Sequence, residues 1–291
     1  MASWPTRQPV SPLMGGTLYI VATPLGNLGD ITLRAADLLR TVGCVAAEDT
    51  RHTRQLLHHL DAHPRLISFH EHSAESRFED ILGLLAQGTD VAVVSDAGTP
   101  VISDPGAELV SRVREMGHRV VPIPGVSAVT AALSASGFPG DRYIFLGFPP
   151  RKGKERARFI EKAVKEPVTV LFFEAPGRLV GLLTDLAQAA EPGRPAVVAR
   201  EITKLHEEIR AGTLDELVAH FSETEPRGEI TVVLAGFSGS VEEDPALIDV
   251  EGRGAELLAE GMTRRDVVQR LVEETGLPRN EVYRRVPHIP S

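Results

Sequence analysis

A single cysteine, Cys44, stands in 291 residues, so the chain can form no internal disulfide and no cysteine-built zinc site. No apolar run approaches the ~18 residues that a membrane-spanning helix needs. The opening stretch, MASWPTRQPVSPLM, holds three prolines and no apolar core, which excludes a secretory signal there. No His/Cys cluster has metal-ligand spacing, so no metal is expected. There is no internal repeat at fixed period. With 42% hydrophobic and 24% charged residues the composition is that of a globular protein and excludes disorder as the basis of function. The length suits two domains of ordinary size. These absences together predict a soluble, reduced, cytoplasmic protein with no membrane partner.

Lysine is scarce and concentrated. The net charge is −9, which argues against generic coating of nucleic acid. Yet four of the five lysines, Lys152, Lys154, Lys162 and Lys165, fall in one stretch. Residues 151–165 carry seven Lys/Arg against Glu155 and Glu161. A local basic segment on an acidic protein can grip phosphates, and it can also be a solvated helix face.

Short β-branched runs at 17–22, 44–47, 91–95 and 119–123 read as buried strands. Leu-rich amphipathic stretches at 32–41, 51–60, 75–87 and 105–116 read as the helices between them. This alternation predicts a largely parallel sheet covered on both faces. Four further strands are expected at 143–148, 168–173, 196–200 and 229–236, with Gly and Pro marking the joins. The fold class is thus α/β. The expected order is a tail over 1–14, an N-terminal α/β domain over 15–124 and a C-terminal α/β domain over 125–238. A linker at 238–245 leads to a helical appendage over 246–291. Thr263 is a candidate N-cap there, and Gly276-Leu277-Pro278 breaks the pattern in the manner of a helix-turn-helix. Over 261–286 six arginines face four acids, so that stretch is mildly basic. It suits either nucleic-acid contact or a plain helical cap.

Three loops follow strands of the first half. ATPLGNLGDIT (22–32) is a candidate for close backbone approach to a ligand, or simply a tight turn into a helix. SDAGTPVISDPG (95–106) has two Asp, two Gly and two Pro, a restricted loop where α/β sheets bind ligands. PIPGVSAVTAALSASG (122–137) leads into a helix of small residues, with Ser127 and Thr130 as candidate caps or ligand contacts.

Together with AEDTRHTRQLL (47–57), SFHEH (68–72) and RGEITVVLAG (227–236), these loops resemble the tetrapyrrole-methylase-type S-adenosylmethionine methyltransferases. Within them, AEDTRHT and FHEH are most similar to the bacterial small-subunit (16S) ribosomal RNA cytidine 2′-O-methyltransferases. The resemblance runs from about residue 15 to 290. It implies two α/β domains with S-adenosylmethionine folded in the cleft between them, and it replaces the phosphate-cradle reading of the first loop. Carried over by motif, the first loop brings Pro24 to the cofactor. The second brings Ser95, Asp96, Gly98, Thr99, Val101 and Ile102. The third brings Ser127 and Ala128. The second domain brings Phe173, Glu174, Leu205, Glu229, Ile230 and Thr231. The resemblance also implies a homodimer, with small-subunit ribosomal RNA or the assembled subunit as partner.

A sulfonium methyl is already activated, so the enzyme has to align nucleophile, carbon and sulfur. A base close to the ribose hydroxyl helps by taking its proton. Glu48, Asp49 and Glu71 are the candidate bases, with Asp49 equally suited to capping the helix that follows it. Arg51, Arg54, Arg151, Lys152, Lys154, Arg156 and Lys204 are candidate RNA contacts. A tetrapyrrole methylase would share fold and cofactor without the basic segment. A non-catalytic ribosome-binding protein would show a degraded second loop.

Overall fold

The structure, a computed structural model, describes residues 15–70, 73–224, 226–237, 250–275 and 277–287. The expected tail over 1–14, the linker 238–245 and Glu71 lie outside these residues. One compact unit runs through Val164 and from Val168 to Ala235, and it contains both sheets. Lys165–Pro167 and the residues from Gly236 make a second unit.

The first lobe alternates as its sequence predicts: β1 (Thr17–Val21), α1 (Leu33–Thr41), β2 (Cys44–Ala47), α2 (Thr50–His59), β3 (Arg65–Ser68), α3 (Glu75–Ala86), β4 (Val91–Val94), α4 (Ala107–Glu115) and β5 (Arg119–Ile123). Its strands lie in the order β3-β2-β4-β1-β5, all parallel. β2 and β4 are buried at every position, as strands covered on both faces must be. Alternation sends Val45, Ala47, Ala92 and Val94 against α1 and α2. Cys44, Ala46, Val91 and Val93 meet α3 and α4 on the other face. The chain steps from β1 to β2 and β3 in one direction, then back through β4 to β5 in the other. Right-handed crossovers running in opposite directions place their helices on opposite faces. β1 and β4 are neighbours whose chains leave in opposite directions, which makes their C-terminal edge the switch point where such sheets open a crevice.

The second lobe holds α5 (Ala128–Ser136), β6 (Tyr143–Phe145), α6 (Gly153–Lys165), β7 (Thr169–Glu174), α7 (Leu179–Ala189), β8 (Pro195–Arg200), β9 (Glu208–Thr213), α8 (Leu214–Glu223) and β10 (Ile230–Leu234). Its order is β6-β7-β10-β8-β9. Only β6 and β7 are parallel; the other pairs are antiparallel. Ile230 sits opposite both Glu174 and Arg200, so the ends of β7 and β8 and the start of β10 share one edge. α6, α7 and α8 cover one face and α5 the other. β9 was not anticipated: its residues EIRAGT are mostly exposed at the sheet edge, and pairing rather than composition holds it there. Arg194, 2% exposed, donates to the carbonyls of Ala235 (2.8 Å) and Val164 (3.3 Å) and pairs with Glu191 at 2.6 Å.

The second unit packs α9 (Val250–Ala259), α10 (Arg264–Thr275) and α11 (Arg279–Arg285) around Leu257, Val267, Val268, Leu271 and Val282. Thr263 accepts a hydrogen bond from the Asp266 N–H at 3.3 Å, as its expected capping role requires. Arg264 donates to the carbonyls of Tyr283 and Val286, and its guanidinium lies 4.4 Å from the Tyr283 ring centroid. That arginine clamps α10 to α11. Among the described residues no helix is long and apolar enough to cross a membrane.

Candidate active site

The loops after β1 and β4 are stitched together. Thr23 and Gly98 exchange two backbone hydrogen bonds of 2.9 Å each, and the Thr23 hydroxyl donates to the Ser95 carbonyl at 3.1 Å. Gly98 has φ +78°, and a Cβ there would lie 3.3 Å from Leu25 Cδ2, so both backbone and space call for glycine. Val101 (φ +76°) and Ser103 (φ +63°) hold the same left-handed region with side chains attached. Such strain gathers at ligand sites because the surrounding structure must enforce it. The Thr99 hydroxyl donates to the Val126 carbonyl at 3.0 Å, tying this loop to the one that precedes α5.

Two adjoining cavities open there. The first, about 350 Å³, lies between the lobes. The first lobe lends it Glu48, Asp96 and Asp104, and the second lends Ala128, Phe173, Glu174 and Glu229–Thr231. Phe148 lies 5.5 Å from Phe173, ring to ring, and completes an aromatic side. The second, about 420 Å³, lies between the first loop, α2 and Lys204. Pro24 and Ser95 line it, and Leu25, Asp96, Ala97 and Glu229 belong to both cavities.

Several expected cofactor residues are not in the lining of these two cavities. Gly98 and Thr99 shape the loop from within, and neither lines these two cavities. Ile102 is 46% exposed and Leu205 93%. Ser127 stands at the start of α5 without a capping side-chain bond. Glu174 is buried; its carboxylate accepts from the Ala175 N–H (2.8 Å) and from Arg178 (2.9 Å), which also donates to the Pro149 carbonyl.

The charged candidates separate by their partners. Glu48, half-buried at the end of β2, lines the first cavity. Asp49 caps α2 through the Arg51 N–H at 2.7 Å and pairs with the Arg51 guanidinium at 2.8 Å. The hydrogen bonds from that guanidinium and that N–H hold the Asp49 pKa down to about 2, which leaves a weak base. Its own N–H donates to Asp96 Oδ1 at 3.0 Å. Arg54 is exposed on α2, and Arg151, Lys152 and Lys154 are exposed at the start of α6. Arg156 is bound instead to Asp185 (2.6 Å) and the Pro150 carbonyl. The Lys204 ammonium bridges Glu201 (2.9 Å) and Glu229 (3.2 Å). Burial opposes its charge, and the two carboxylates outweigh that and raise its pKa.

Asp104, Phe148, His52 and Gln55 were not among the candidates. Burial raises the Asp104 pKa against a hydrogen bond from Ser95, and the charges of Asp96 and Glu229 add to it. The Asp104-Pro105 pair, the one Asp-Pro of the 95–106 loop, was the available signal for Asp104. His52 and Gln55 lie within AEDTRHTRQLL, and that motif was the signal available for them. Among the described residues no group of three or more His, Cys, Asp or Glu is placed to hold a metal ion.

Residues 17–218 match the Tetrapyrrole (Corrin/Porphyrin) Methylases. The chain belongs to the tetrapyrrole methylase family. A relative in Synechocystis sp., named Ribosomal RNA small subunit methyltransferase I, is 44% identical over 92% of this chain and 96% of its own. One of the same name in Micromonospora olivasterospora is 48% identical over 93% of this chain and 86% of its own. Among solved structures, uroporphyrin-III C-methyl transferase from Thermus thermophilus, complexed with S-adenosylhomocysteine, superposes with a TM-score of 0.56 at 19% identity. That likeness covers 76% of this chain and 97% of that one, and it shows that the two-lobed arrangement is the tetrapyrrole methylase fold.

Proposed function

We propose that the chain methylates the ribose 2′-hydroxyl of a cytidine in small-subunit ribosomal RNA, using S-adenosylmethionine held in the first cavity. The carrying observation is that identity to the two ribosomal RNA methyltransferases spans both lobes and extends past residue 218, where the match to the wider family stops. The cavity's chemistry suits the cofactor. Carboxylates at Asp96, Asp104 and Glu229 favour a cation, and the Phe148 and Phe173 rings offer apolar faces to a heterocycle or a sulfonium. When bound, the cofactor supplies a methyl carbon activated for displacement by its positive sulfur.

The protein's part is to orient and to take a proton. The bridged loops fix the wall at Leu25 and Asp96, where the two cavities meet, so a nucleophile is aligned without mobile parts. Glu48 is the base favoured by position, since it lines the first cavity and Asp49 lines neither. It would accept the proton of the ribose hydroxyl. Arg54, Arg151, Lys152 and Lys154, all exposed, suit phosphates, which position an RNA without reading its sequence. A cytoplasmic homodimer belongs to the same reading.

The test is tritium transfer from methyl-labelled S-adenosylmethionine to small ribosomal subunits purified from a strain lacking the protein. Label recovered as 2′-O-methylcytidine after nuclease digestion supports the reading. Absence of transfer to either subunits or their naked RNA overturns it.

A further inference from the structure

The second cavity has no role in binding the cofactor as described above. We infer that it is the pocket for the target nucleotide, which enters unstacked from its RNA; the inference rests on the methyltransferase reading. Its position is the first argument. It shares Leu25, Asp96, Ala97 and Glu229 with the first cavity, so a sugar lodged at that common wall faces the contents of the first cavity without leaving the protein.

Size and charge are the second. At about 420 Å³ the cavity falls in the range of ligand pockets, roughly 300–1,000 Å³. Its one lysine, Lys204, already bridges two carboxylates, and Asp96 and Glu229 line the same walls. Such walls repel a phosphate and admit an uncharged base with its sugar. The phosphates then remain outside, where Arg54 is exposed on the same helix that lines the pocket.

The third argument is recognition. His52 and Gln55 stand one turn apart on α2 and both line the cavity. Gln55 carries an amide that both donates and accepts, matching the adjacent amino group and ring nitrogen on the pairing edge of cytosine. Pro24, Leu25 and Leu56 give apolar surface for the ring faces, and Leu28, 39% exposed, stands at the rim. Enzymes that act on one nucleotide commonly take it out of the stack into such a pocket and read it by edge hydrogen bonds. The cavity also explains the loop after β8. Glu201 (φ +51°) and Thr203 (φ +70°) are strained there, and the Lys204 side chain lies against Gly26, where any Cβ would collide with it.

The experiment compares Gln55→Leu with Arg54→Gln, both at exposed positions, on small ribosomal subunits as substrate. The expected result for Gln55→Leu is a KM for subunits raised tenfold or more, with unchanged calorimetric affinity for S-adenosylmethionine. The salt dependence of subunit binding stays as in the parent, because a neutral side chain releases no counterion. Arg54→Gln weakens binding with a shallower salt slope, by about one unit. In reconstituted subunits with an abasic target site, the parent falls to the level of Gln55→Leu, and the variant loses nothing further. A Gln55→Leu protein that keeps the parent KM, loses cofactor affinity in step with subunit affinity, or flattens the salt slope overturns the assignment. Transfer by the parent protein, run alongside, separates the two failures: without it the methyltransferase reading falls, and with it only the pocket does.

Discussion

In the first lobe, five parallel strands all end at one edge, and the cleft wall is made of the loops that leave them. In the second, antiparallel strands bring two ends and one beginning to the cleft, and the wall is largely the sheet itself at Phe173, Glu174 and Ile230–Thr231. The supports differ accordingly. The first lobe braces its loops by backbone pairing of Thr23 with Gly98 and by left-handed residues at Gly98, Val101 and Ser103. The second anchors buried charge, Glu174 on Arg178 and Arg194 on Glu191 and two carbonyls. Damage to the second lobe should therefore register as lost stability, and damage to the first as lost ligand affinity.

The largest expected effect breaks the second lobe. Arg194→Ala removes a buried guanidinium that serves the carbonyls of Ala235 and Val164 and pairs with Glu191, at a cost of about 3–5 kcal/mol. Urea unfolding should show it as a lower midpoint, with methylation per folded molecule close to the parent's. The matching break in the first lobe is Gly98→Val. A β-branched residue at φ +78° costs about 1–2 kcal/mol of backbone strain, and its Cβ crowds Leu25. The variant should remain folded and lose S-adenosylmethionine affinity by about two orders of magnitude, close to 3 kcal/mol. A folded Gly98→Val protein with the parent's calorimetric affinity would remove the 95–106 loop from the cofactor site.

The same contrast governs what the chain discloses before it folds. β2 and β4 are legible because CVAA and VAVV are buried throughout and bounded by Gly43, Glu48, Asp90 and Ser95. The parallel sheet follows from their alternation with helices. β9 is not legible, since the apolar pair of EIRAGT, Ile209 and Ala211, stays exposed and the strand exists through its partner β8. The 95–106 loop is visible in its composition. The left-handed Val101 and Ser103 within it are not, because nothing local asks them to be there; loop-to-loop bonds impose it. The second cavity is the least legible part. It joins Leu28, Gln55 and Lys204, residues far apart in the chain, which meet only when the loop after β8 folds over Gly26.

A smaller effect sharpens the reading of the first lobe's carboxylates. Glu48→Gln and Asp49→Asn are nearly isosteric, and Asn is as good an N-cap as Asp. Glu48→Gln should lower the single-turnover methylation rate by about 100-fold, the range of general-base loss, with cofactor affinity retained. Asp49→Asn should change it only a few-fold, because a carboxylate held near 2 by Arg51 takes up little of a proton in flight. Equal and large losses in both would return Asp49 to the catalytic machinery.

The smallest expected effect concerns Asp104, where the first lobe does hold a half-buried charge. Burial raises its pKa above the unfolded value, with the Asp96 and Glu229 charges pushing the same way against a hydrogen bond from Ser95. The native state thus favours the neutral acid. Stability from this group is complete below the ordinary aspartate pKa and is lost as pH rises through the elevated native one. Asp104→Asn has no charge to bury, so its Tm should exceed the parent's at neutral pH by on the order of 2 °C. The difference should close as pH falls below the ordinary aspartate range. If the carboxylate is kept for a cationic ligand, saturating S-adenosylmethionine should erase the advantage. The parent, binding more tightly, gains the larger ligand stabilisation, which grows with the logarithm of ligand concentration over Kd. A Tm gain that is independent of both pH and cofactor would assign Asp104 to packing of the loop, with no part in the charge of the cleft.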